Sequence, residues 1–73
     1  MAKFKAGDMI VGRIEMSDGT KQWSTLMVNR VFTDEREYSF TKGQEMYSLD
    51  NGSGFSDARS TAVNIDRDYE IAN

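Results

Sequence analysis

The 73-residue chain has no cysteine, no histidine and no proline, and each absence removes a class of solution. Without cysteine there is no disulfide framework, and without cysteine or histidine there is no thiolate or imidazole metal site to supplement a small core. Nucleophilic catalysis is reduced to serine–lysine or carboxylate-driven arrangements, for which no spacing in the chain provides. Without proline, turns fall to Gly, Asn, Asp and Ser. No apolar stretch approaches the ~20 residues of a membrane-spanning helix, and the opening MAKFKAG is not followed by an apolar run of signal-peptide length. The expectation is a soluble cytoplasmic protein without a membrane partner. A basic stripe is also missing: twelve acidic residues against nine basic ones give a net charge of −3, and the basic residues are scattered. Bulk attraction to nucleic acid is therefore disfavoured.

What is present is a set of large apolar side chains cut into strand-length pieces. Trp23, Phe4, Phe32, Phe40, Phe55, Tyr38, Tyr47 and Tyr69 supply most of the burial available to a chain that buries only about 60% of its unfolded surface. Met9 to Met16 reads as a first strand, entered through Gly7-Asp8 and closed by Ser17-Asp18-Gly19-Thr20, where Asp-Gly is a hairpin signal. Gln22 to Phe32 reads as a long strand with Trp23, Thr25, Met27, Asn29 and Val31 on one face and Leu26, Val28 and Phe32 on the other. The charged stretch 33–37 reads as a loop, Tyr38 to Thr41 as a short strand, and Glu45 to Asp50 as another, closed by Asn51-Gly52-Ser53-Gly54. Phe55 to Ser60 fits a short strand or exposed loop, and Thr61 to Ile71 a helical turn or short strand followed by a closing strand. No apolar period of 3.6 is long enough for a full helix.

Five or six short strands in so few residues are best accommodated by curling the sheet. The expected fold is all-β, one domain over residues 1–73: a small five- or six-stranded SH3-like barrel with one 3₁₀ turn near residues 61–66, the alternative being an OB-like barrel. The segment Phe4-Lys5-Ala6-Gly7-Asp8-Met9-Ile10-Val11-Gly12 resembles the F-x-x-G-D-x-V-x-x opening strand of many small SH3-like barrels. The closing Ile65-Asp66-Arg67-Asp68-Tyr69-Glu70-Ile71 is similar to the ID-x-x-YE ending of small uncharacterised bacteriophage proteins. The resemblance implies a fold and a phage origin; it carries no catalytic residues.

No catalytic, cofactor or metal residues are assigned. The loop Asp50-Asn51-Gly52-Ser53-Gly54 with Asp57 lacks the ligand spacing of a calcium loop and reads as a turn. Asp66, Asp68 and Glu70 alternate, which in an extended segment puts three carboxylates on one solvated face with Tyr69 and Ile71 directed inward. The candidate interaction surface is Trp23 with Lys21, Tyr38 with Arg36, and Phe55 with Asp57. Tryptophan in so small a domain is ordinarily a core anchor, but Trp23 follows the Asp18-Gly19 turn, near a hairpin end where cover is poorest. Phe55 is an apolar residue within a segment otherwise built for exposure. The functional expectation is a non-enzymatic protein-interaction module, phage-encoded and directed at a host protein. The alternatives are a barrel that stacks single-stranded nucleic acid on its aromatics, and a subunit that self-associates into a homo-oligomer.

Overall fold

The turn chemistry acts where the sequence puts it. In a computed structural model, which describes residues 2–50 and 58–72, the Asp18-Gly19 turn folds β1 (Met9–Glu15) antiparallel onto β2 (Lys21–Thr33), from Met9↔Met27 to Glu15↔Lys21. The Asp18 carboxylate accepts the Thr20 N–H at 2.9 Å and its hydroxyl at 2.6 Å, bonds that hold the carboxyl below its ordinary range. Strand β2 pairs with β3 (Glu45–Asp50) and β3 with β4 (Ala58–Thr61), both antiparallel. Helix α1 (Ala62–Asp68) follows β4 directly, and β5 (Tyr69–Ile71) follows α1 directly and returns to pair with β1. The protein is thus mostly β: the described residues form one five-stranded antiparallel sheet in the order β4-β3-β2-β1-β5, with one short helix. No helix among the described residues is long and apolar enough to cross a membrane.

Gly7-Asp8 extends the β1–β2 ladder by one step. Gly7 sits at φ 93°, a conformation open to glycine, and its N–H donates to the Val28 carbonyl at 2.8 Å while the Val28 N–H reaches the Asp8 carbonyl at 2.9 Å. The Asp8 carboxylate accepts the Lys5 N–H at 3.0 Å and closes the entry loop.

The core lies on one face of the sheet, where Ile10, Val28, Tyr47, Leu49 and Tyr69 meet Phe4 and the helix residues Ala62 and Ile65, with Ala2, Leu26 and Val31 packed around them. Val31 reaches this face through a β-bulge. The pairing of β2 with β3 steps from Val28↔Leu49 to Arg30↔Ser48, leaving Asn29 as the extra residue, so the alternation reverses there. Val31, expected opposite Val28, joins it on the core face, and Phe32 is turned to the outer face beside Met46.

The terminal carboxylates are also not arranged as expected. Asp66 and Asp68 are helical and Glu70 is in β5, so no extended run aligns them. Asp66 accepts the buried Tyr47 hydroxyl at 2.6 Å and the Lys3 N–H at 3.2 Å, and Asp68 pairs with Arg67 at 2.9 Å. Tyr69 is buried as expected, whereas Ile71 is exposed. In place of the 3₁₀ turn at residues 61–66 stands the seven-residue helix α1. Its inward side is Ala62 and Ile65, three residues apart, and the Ile65 carbonyl accepts the Tyr69 N–H at its end. So short a helix repeats its period only once, which is why no helical signal stands out in the sequence.

Two substitutions test this arrangement. A Cβ at Gly12 lands on the Asp68 carbonyl oxygen and 2.9 Å from Tyr69 Cγ, so Gly12→Ala must push β5 off β1. The expected cost is about 1–3 kcal/mol, read as a lower denaturant midpoint with an unchanged m-value. Tyr47→Phe strands the Phe4 N–H, which donates to the Tyr47 hydroxyl at 2.9 Å, and removes the donor to Asp66, for an expected loss of about 1–3 kcal/mol. Burial first, then the bond to Asp66, pushes the Tyr47 hydroxyl up to about 12 from its ordinary 10. A raised folded-state value means that this stabilisation is complete below pH ~10 and is lost as pH rises through about 12. Wild-type melting temperature should therefore fall across that window, and Tyr47→Phe should remove that part of the slope.

Candidate functional site

The connection between β2 and β3 is built around one buried carboxylate. Asp34 follows the last residue of β2, and its backbone prolongs the ladder: its N–H donates to the Gln44 carbonyl at 3.0 Å and its carbonyl accepts the Gly43 N–H at 2.7 Å. Its side chain, 2% exposed, turns into the loop that this pairing closes. There it accepts the Arg36 N–H at 3.1 Å, Arg36 Nε at 3.0 Å, Arg36 Nη2 at 2.9 Å, the Ser39 hydroxyl at 2.6 Å and the Thr41 hydroxyl. Ser39 Oγ also accepts the Thr41 N–H at 3.2 Å, and the Ser39 carbonyl takes the Lys42 N–H at 3.2 Å. The Arg36 guanidinium, then the two hydroxyls, hold the Asp34 carboxyl far below the usual carboxylate range, and Asp34 raises Arg36 in return. Every side-chain partner of Asp34 lies within seven residues of it, so the loop carries its own order.

The outward consequence is at the tip. Ser39 points to the carboxylate, and the residues on either side of it do not: Tyr38 is 92% exposed and Phe40 104%. Tyr38 to Thr41 is therefore a series of turns and not the expected short strand; the alternation that suggests a strand is Tyr38 and Phe40 flanking an inward serine. Arg36, Tyr38, Ser39 and Phe40 enclose an open recess of about 500 Å³. Leaving a phenylalanine in water forgoes about 1.5–3 kcal/mol of burial. Among the described residues none covers the Phe40 ring.

A second surface lies on the outer face of the sheet. Register sets Arg13 opposite Trp23, and the guanidinium stands over the indole at 5.5 Å from its centroid. Trp23 is 69% exposed, so it is not the core anchor that a lone tryptophan ordinarily is. With Val11, Gly12, Arg67, Asp68 and Glu70 these two line an open cleft of about 490 Å³. Farther along the same face Arg30 and Arg59 stand over Phe32 at 4.3 and 5.5 Å.

The sequence-predicted residues divide between these places. Lys21 is exposed at the start of β2, two residues from Trp23 and across the ladder from Glu15. Arg36 and Tyr38 are in the loop, where Arg36 pairs with Asp34 while its side chain stays 59% exposed. Phe55, Asp57 and the turn 51–54 lie outside the described residues. Trp23 and Tyr38 are not brought together, because most of β2, about 3.3 Å per residue, runs between them. Asp34 and Arg13 are residues that the sequence does not mark out. Asp34 was legible in principle, since Asp-x-Arg with Ser39 and Thr41 following puts one acceptor among several donors. Among the described residues no group of three acidic side chains is placed to hold a metal ion. No family model, curated protein or solved structure matches the chain.

Asp34→Asn tests the clamp. The loop should lose amide-exchange protection over residues 35–42, with a lower melting temperature at neutral pH. Because the carboxyl is depressed in the folded state, its stabilisation is fully present above pH ~4 and lost as pH falls below it. The difference in melting temperature between wild type and Asp34→Asn should thus be constant near neutrality and shrink in strong acid.

Proposed function

We propose that the chain is a non-enzymatic protein-interaction module of SH3-like barrel form, whose contact surface is the loop over residues 35–42 with Tyr38 and Phe40 at its tip. The barrel reading is supported by the path of the chain at the sheet edges. Laid flat, five strands separate the outermost pair by about 19 Å, whereas the seven-residue helix that joins β4 to β5 without further linker is only about 10 Å long. Curling the sheet brings the two edges within reach of that helix.

The observation that carries the functional reading is the pairing of two solvent-immersed aromatic rings with a loop held rigid by a buried carboxylate. Aromatic side chains dominate protein interfaces energetically, and a contact surface ordered before binding spares the entropy of ordering it then. The resemblance of the chain ends to phage-encoded barrels points to a protein of the host cell as the partner. A second reading, single-stranded nucleic acid on the outer face, is favoured by Trp23 and Phe32 lying beside Arg13, Arg30 and Arg59. It is weakened by Glu15, Asp50 and Glu70, which register places on the same face.

The two readings separate by mutation. Tyr38→Ala/Phe40→Ala removes the tip and leaves the Asp34 clamp intact, so melting temperature should be nearly unchanged while a specific co-purifying protein is lost at least tenfold. Retention of that protein at wild-type level would refute the loop as the contact. For the outer face, Arg13→Ala/Trp23→Ala should abolish binding to a mixed single-stranded oligonucleotide if such binding exists at low salt and falls steeply as salt rises.

A further inference from the structure

We infer that the loop recognises a cationic protein segment, an arginine or lysine side chain of the partner seated on the open ring faces of Tyr38 and Phe40; this rests on the loop being the contact surface. The observation is a contrast among aromatic rings. Phe4 carries Lys3 over its ring at 5.3 Å, Trp23 carries Arg13, and Phe32 carries both Arg30 and Arg59. Each of those rings already carries a cation of the chain. Tyr38 and Phe40 are the most exposed of the large apolar side chains among the described residues, and no cation of the chain stands over either ring there. Of the two cations nearest in sequence, Arg36 is held by Asp34 through Nε and Nη2, and Lys42 stands over neither ring.

Charge around the rings has the matching sign. The stretch 34–44 holds three carboxylates, Asp34, Glu35 and Glu37, against two cations, Arg36 and Lys42. Asp34 and Arg36 pair with one another, which leaves the exposed Glu35 and Glu37 of the same loop against Lys42 alone. A guanidinium or ammonium over an exposed ring gains from the ring's negative face and from nearby carboxylates together, and the net charge of −3 attracts a basic partner at longer range. The same sign repels a phosphate backbone, which argues against nucleic acid at this loop. The recess of about 500 Å³ beside Arg36 and Ser39 admits one long side chain with the backbone that bears it.

The test is an amide chemical-shift titration of the full chain with four blocked probes: Ac-GRGRGRG-NH2, its glutamate and leucine analogues, and a mixed single-stranded oligonucleotide. The arginine peptide should shift amides over residues 35–42 in preference to the rest of the acidic surface, and the glutamate peptide should not. Tyr38→Leu/Phe40→Leu, which keeps apolar area and removes the π faces, should weaken the arginine peptide about three- to tenfold, and Glu35→Gln/Glu37→Gln should weaken it and raise its salt tolerance. Loop shifts with the leucine peptide and none with the arginine peptide would overturn the cationic partner and leave the loop as a contact surface. Shifts at the loop with the oligonucleotide alone would overturn it in favour of nucleic acid. Shifts from the arginine peptide spread evenly over the molecule, or none at the loop from any probe, would overturn this inference, while loss of a co-purifying protein on removing the tip bears separately on the loop itself.

Discussion

Tyr47 is the side chain through which three parts of the chain reach one another. It stands in the middle of β3, fully buried, opposite Val31 on one side and Ser60 on the other, with its ring 5.9 Å from that of Phe4. Its hydroxyl accepts from the N-terminal segment at Phe4 and donates to the helix at Asp66, whose second oxygen takes the Lys3 N–H. A hydroxyl in a core must be satisfied or it costs the fold, and here the bonds that satisfy it also fix where the N-terminal segment and α1 lie on the sheet. With α1 placed, β5 must leave toward β1, and Gly12 permits the close crossing of Asp68 and Tyr69 that this path requires. One polar contact inside an apolar core thus ties the N-terminal segment and α1 to the middle of the sheet.

The distribution of cations follows from the same scarcity of interior. A chain that cannot bury every aromatic ring covers some of them with the stems and heads of arginine and lysine, as Arg13 does for Trp23 and as Arg30 and Arg59 do for Phe32. Each such contact both shields apolar surface and occupies a positive charge. Arg36 and Arg67 are likewise committed to Asp34 and Asp68.

Much of this fold is legible in the sequence because its determinants are local. Gly7-Asp8 and Asp18-Gly19 mark the entry and exit of β1 through side chains that bond to their own neighbours. The exposure of Trp23 is foreshadowed by its nearness to a hairpin end. What was hidden depends on alignment between distant segments. The bulge at Asn29 is a property of the β2–β3 register, and without it Val31 and Phe32 are assigned to the wrong faces. Asp66 alternates with Asp68 and Glu70 in sequence, and only the place of α1 beneath Tyr47 makes it a core acceptor. At the candidate site, the alternation of Tyr38, Ser39 and Phe40 suggests a strand that the turns around Ser39 do not form.

The loop and the core divide labour in a way that bears on how such a small protein can carry a surface at all. Tyr47 orders distant segments, so its loss is felt throughout the fold. Asp34 orders only residues 36, 39 and 41, and the ladder bonds at Gln44 and Gly43 join that unit to the sheet. Tyr38 and Phe40 contribute neither to the core nor to the clamp. Their identity is consequently free of the packing constraints that bind the rest of the aromatic set, and the stability of the domain sets no limit on what the tip displays. On the function proposed above, the contact chemistry sits on a loop whose order costs the core nothing, and that independence is the physical reason to look for function at the tip before looking on the sheet.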